Sequence, residues 1–92
     1  MPANTPIDAE VIALAALAAT FGDLRRAQRF IELTGIGTDE LRTRAKDPSL
    51  LAALVRFLEA HEPDLVAVAA ELGVSPELLV EARRELEREE GR

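Results

Sequence analysis

Apolar residues recur along this chain at helical spacing, and no stretch shows the two-residue alternation of a strand. Thr5-Pro6-Ile7-Asp8 reads as a helix start: a capping hydroxyl, a proline at the first position and an acid three after the cap. The helix is expected to run to about Phe21, with Ile7, Val11, Leu14, Leu17, Ala18 and Phe21 on one face. The other face holds Ile12, Ala13, Ala16 and Ala19 and no charge. A helix apolar nearly all round is expected at the centre of a fold, with self-association as the alternative.

Gly22-Asp23 ends that helix and caps a second over residues 24–34, with Leu24, Ala27, Phe30, Ile31 and Thr34 facing in and Arg25, Arg29 and Glu32 facing out. A short third helix over about residues 39–45 is anchored by Leu41 and Ala45. Asp47-Pro48-Ser49 starts a fourth, over about 48–60, with the stripe Leu50, Leu51, Leu54, Phe57 and Leu58. Glu62-Pro63-Asp64 opens a fifth that ends at Leu72 and is apolar on most sides. A sixth spans about 76–90, with Leu78, Leu79, Ala82 and Leu86 inward. The pattern predicts an all-α fold, a compact bundle of five or six short helices in one domain over residues 1–92, with 1–4 and 90–92 as disordered ends.

Two turns punctuate this pattern, Leu33-Thr34-Gly35-Ile36-Gly37-Thr38 and Leu72-Gly73-Val74-Ser75-Pro76. Each glycine follows an apolar helical run, where the left-handed conformation lets the last carbonyls be bonded. Gly35 and Gly73 are therefore predicted as structural turns with positive φ. Ile36 and Val74 are expected to pack back on the preceding helix, and Thr38 and Ser75 to cap the next.

Composition narrows the function classes. Apolar residues make up 48% of the chain, yet only Phe21, Phe30 and Phe57 are aromatic, so the core must be mainly aliphatic. The absence of cysteine excludes disulfides, thiolate nucleophiles and cysteine zinc sites. A formal net charge of −6 disfavours unspecific attraction to nucleic acid or anionic lipid. The longest uncharged run, Val11 to Gly22, is too short to span a bilayer. No basic stretch precedes an apolar run at the N-terminus, so the expected location is cytoplasmic, away from membranes.

Candidate chemistry is sparse. Residues 68–79 fit a helix-turn-helix pattern, with Ala69 four before the turn glycine and Leu79 six after it. Glu77 and Glu81 would then face phosphates, and residues 63–92 hold eight acids against four arginines, so DNA is disfavoured. His61-Glu62 begins like a zinc motif, but Leu65 occupies the second histidine position. No enzyme activity and no cofactor are expected. Residues 23–46, in contrast, carry six cations and four acids. Arg25, Arg26 and Arg29 are placed on the outer side of the second helix, with Arg42, Arg44 and Lys46 on or just after the third. Together they form a candidate interaction patch for an acidic partner protein.

The chain also resembles a known family. Arg29-Phe30-Ile31-Glu32-Leu33-Thr34-Gly35-Ile36 with Leu41-Arg42 carries the likeness, as do Asp47-Pro48-Ser49-Leu50-Leu51-Ala52-Ala53 with Phe57-Leu58 and Leu72-Gly73-Val74-Ser75-Pro76-Glu77. Over about residues 10–86 these are similar to the domain of unknown function 3572 family of short alphaproteobacterial proteins. The resemblance implies a small all-helical cytoplasmic protein and brings no activity, cofactor or site residue. The expected function is an uncharacterised protein-interaction or accessory module, a monomer or weak homodimer. The alternative is a nucleic-acid binder through the helix-turn-helix-like segment 65–88 or the arginine patch.

Overall fold

Helix starts in this chain are written in short polar side chains. The computed structural model describes residues 8–91. Asp8 caps α1 (Ala9–Phe21), its carboxylate accepting the Val11 amide at 3.2 Å. Thr5, Pro6 and Ile7, read as the start of this helix, lie outside the described residues, as do residues 1–4 and 92. Asp23 caps α2 (Leu24–Thr34) by accepting the Arg26 amide. Asp47 accepts the Ser49 amide ahead of α4 (Pro48–Glu59), and Ser75 accepts the Leu78 amide ahead of α6 (Pro76–Glu90). In α4 and α6, as in α5 (Glu62–Leu72), a proline occupies the first turn, where no donor is lost. The short α3 (Thr38–Thr43) follows Gly37 without a side-chain cap, so Thr38 is a helical residue and not the cap expected of it.

The described residues thus form six helices and no strand, as the periodicity predicts. Their boundaries lie close to the expected ones, α6 reaching Glu90 as predicted, except that Asp8, expected inside the first turn of α1, is its cap, and α3 stops at Thr43. The two turn glycines have φ of 73° and 72°. They close their helices differently. At Gly73 the Val74 amide reaches back to the Ala69 carbonyl and the Gly73 amide to Ala70, the doubly bonded left-handed cap. At Gly35 a single bond runs from its amide to the Ile31 carbonyl, because the Thr34 hydroxyl takes the Ile36 amide instead.

The core gathers around α4, whose Leu50, Leu51, Leu54, Val55, Phe57 and Leu58 are all buried. It packs most extensively on α6, through Leu79, Ala82 and Leu86. Across this pair lies α1, which also touches α5 and α2 and so is central as expected. The residues that α1 buries are Ala9, Ala13, Ala16 and Thr20, a seam of small side chains that lets neighbouring helices approach closely. The Thr20 hydroxyl is satisfied inside the core by donating to the Ala16 carbonyl at 2.8 Å. The expected burial of the Ile12, Ala13, Ala16 and Ala19 face is borne out at Ala13 and Ala16, with Ile12 and Ala19 half-buried against the core. On the other face Leu14, Leu17 and Phe21 are half-buried and also pack against the core, whereas Val11 is 58% exposed and Ala18 is exposed. Small residues win the central position because a bulky stripe would hold α4 and α6 apart.

On α2 the expected inward set is also corrected. Leu24 is 73% exposed and Thr34 is exposed, while the buried residues are Phe30 and Arg26. Phe30 meets Phe21 and Phe57 edge-on, with ring centroids 5.7 and 5.3 Å apart, and this aromatic trio pins α2 to α1 and α4.

Candidate functional site

Six cations suggest one basic surface, but the fold divides them. Arg26 is turned inward. Its guanidinium donates to both carboxylate oxygens of Glu71, at 3.3 and 2.8 Å, and to the Ala19 carbonyl at 3.3 Å. The last contact places a cation on the carbonyl end of α1, where the helix dipole favours it. Arg29 pairs with Asp64 and lies over the Phe57 ring, 5.5 Å from its centroid. Arg26 and Arg29 are three apart on α2, and Asp64 and Glu71 seven apart on α5. Together they form an ion-pair ladder between the two helices.

Arg44 is spent locally, donating to Glu40, Asp47 and the Ser49 hydroxyl around the turn into α4. Arg26, Arg29 and Arg44 are therefore structural cations, which corrects the placement of Arg26 and Arg29 on an outer face. Their carboxylates respond. The Arg26 side chain holds Glu71 below its ordinary value, and the Ser49 amide, followed by Arg44, does the same to Asp47. Arg25, Arg42 and Lys46 are exposed and form no ion pair with a described residue.

Arg42 belongs to a different feature. The half-exposed stripe of α1 and the facing side of α3 leave an open groove of about 350 Å³ between them. Leu14, Leu17, Ala18 and Phe21 line one wall, and Thr38, Leu41, Arg42 and Ala45 line the other. The lining is almost wholly apolar, with Leu41 set deep and buried. Val11, one turn before Leu14, continues the α1 stripe outside it. Sequence reading puts these α1 residues on one face of a central helix without marking that face as open. The signal for their partial exposure is the alanine-rich seam on the opposite face, which takes the innermost contacts.

A second cleft, of about 290 Å³ and more enclosed than the groove, lies where α5 and α6 begin, lined by Glu62, Leu65, Pro76, Glu77, Val80, Glu81 and Arg84. It occupies the front of the helix-turn-helix-like corner, where Glu77 and Glu81 are exposed. Behind that front, Arg83 is held by Glu59, at 2.7 and 3.0 Å, and by Glu87, which raises its already high pKa further. Arg88 pairs with Glu85 at 2.6 Å. His61 is exposed at the start of α5, its carbonyl accepting the Asp64 and Leu65 amides.

Among the described residues no helix is long and apolar enough to cross a membrane. Compared with known families, the chain matches over residues 6–89 the family described as protein of unknown function (DUF3572), and it belongs to that family. No curated protein and no solved structure matches it.

Proposed function

We propose that this member of the DUF3572 family is a protein-interaction module whose working surface is the groove between α1 and α3. One observation carries the reading. A row of large apolar side chains on α1 packs against the core at one side and stays open to a channel at the other, while Ala9, Ala13, Ala16 and Thr20 take the innermost place of the same helix. Contiguous exposed apolar surface of this kind marks interaction sites in small proteins. The ligand is an apolar-faced segment of another protein, and the role is binding and not catalysis. The reading places the protein in the cytoplasm of a bacterium, as a monomer until its partner arrives. Duplex DNA is not the ligand: the front of α6 is acidic, and most of the arginines that might have served are engaged with carboxylates.

The test uses Ala18, which is exposed on the groove wall. Ala18→Glu puts a charge in the channel without entering the core. It is expected to keep the unfolding curve of the unmodified protein and to lose the proteins that co-purify with it from the native cell. Recovery of the same proteins by Ala18→Glu defeats the proposal.

A further inference from the structure

The groove also constrains the chemistry of what enters it, given the reading above that it is the working surface. We propose that its partner is an acidic amphipathic helix, with apolar anchors over two turns flanked by carboxylates. The α1 wall is the middle of a helix, so its backbone donors and acceptors are consumed within α1, and the facing wall is the short α3 with Ala45 in the turn after it. No strand edge is on offer among the described residues, and an extended peptide laid along α1 would bury amides and carbonyls of its own unpaired. A helix arrives with its backbone already satisfied. The span from Leu14 to Phe21 is seven residues, about 10 Å of helix, which matches anchors at i, i+3, i+4 and i+7.

Charge fixes the flanks. Arg42 stands on the rim with no carboxylate partner among the described residues, and Lys46 is exposed just beyond Ala45. A planar guanidinium beside an apolar floor suits a carboxylate next to an apolar anchor. The rest of the molecule repels such a ligand, since the whole chain carries a net charge of −6. A second copy fits less well: in a two-fold contact the groove would meet its own image, Arg42 included, leaving that cation unanswered.

Three synthetic peptides test this, titrated into isotope-labelled protein and followed by amide chemical shifts. All have leucines at i, i+3, i+4 and i+7; one has glutamates at the flanking positions, one has lysines there, and one is the glutamate peptide with a central proline. The glutamate peptide is expected to shift Leu17, Leu41, Arg42 and Ala45. The lysine peptide should bind about three- to fivefold more weakly, the scale of one or two exposed ion pairs. The proline peptide should lose binding, and Arg42→Glu should reverse the preference between the first two. Equal binding of all three at the groove overturns the helical acidic partner and leaves the groove reading standing. Failure of every peptide to move groove residues overturns both.

Discussion

At the scale of single residues, neighbouring arginines on α2 have different occupations. The Arg26 guanidinium links the end of α1 to Glu71, whereas Arg25 projects from the same helix without an ion pair to a described residue. Arg26→Ala removes charge-assisted bonds and the packing of a buried stem, so it is expected to cost about 1–2 kcal/mol in a urea titration. Arg25→Ala is expected to stay within about 0.5 kcal/mol of the parent. Equal effects would contradict the ladder between α2 and α5. The glycines offer a similar contrast. A Cβ on Gly35 meets nothing within 4 Å, so only its φ of 73° penalises a side chain. Gly35→Val is expected to cost about 1–3 kcal/mol from backbone strain alone. Gly37 has φ of −90° and equally open surroundings, so Gly37→Ala should be close to neutral. The positive φ of Gly35 and Gly73 was legible because a helix stop is a local device. The Arg26–Glu71 pair was not, because its partners are 45 positions apart and only the packing of α2 on α5 brings them together.

At the scale of elements, the helices were legible where a stripe was contrasted with charge. The α4 stripe of Leu50, Leu51, Leu54, Phe57 and Leu58 is buried as predicted. For α1 the same logic places the helix centrally and its alanine face inside, as observed, but it cannot say how far the other face stays open, since apolar residues surround the helix and its pattern has no preferred direction. Side-chain size decides there, and size matters only once α4 and α6 are in position. Hence the groove was written in the sequence as a stripe but could not be recognised as open. Ala16 tests the seam, since it is wholly buried. Ala16→Glu brings a carboxylate and extra volume into a close helix contact, and overpacking alone costs about 1–3 kcal/mol before the buried charge is counted. Total stability in a domain of this size is about 5–10 kcal/mol, so the variant is expected to melt far lower or fail to fold. Ala18→Glu, half a turn away on the open side, should melt as the parent does. Similar melting of the two, measured by circular dichroism, would remove the distinction between core seam and groove wall.

At the scale of the whole molecule, the ion pairs give the fold a directional response to acid. Asp23 is held below its ordinary value chiefly by the Arg26 amide, Asp47 by the Ser49 amide, and Glu71 by the Arg26 side chain. For Glu87 burial pushes upward, but Arg83 and Arg56 outweigh it and the net shift is again downward. A carboxylate depressed in the folded state binds fewer protons there than in the unfolded chain. Its contribution is therefore fully present above the unfolded value of about 4 and is lost as pH falls through the lower folded value. The melting temperature is expected to drop between about pH 5 and pH 2, most steeply below about pH 4. The loss should not be uniform. Helices α4 and α6 remain joined by buried leucines when Glu87 is protonated, whereas α2 buries only Phe30 and Arg26 and relies on its ion pairs with α5, that of Glu71 among them. Because α3 follows α2 through the Gly35 turn, loosening α2 also frees one wall of the groove. Amide-exchange protection at pH 3 should thus fall in α2 and α3 before it falls in α4 and α6. Glu71→Gln should reproduce part of that loss at pH 7 and flatten the acid dependence. Protection that declines evenly in all six helices would mean that the ladder does not hold the groove in place.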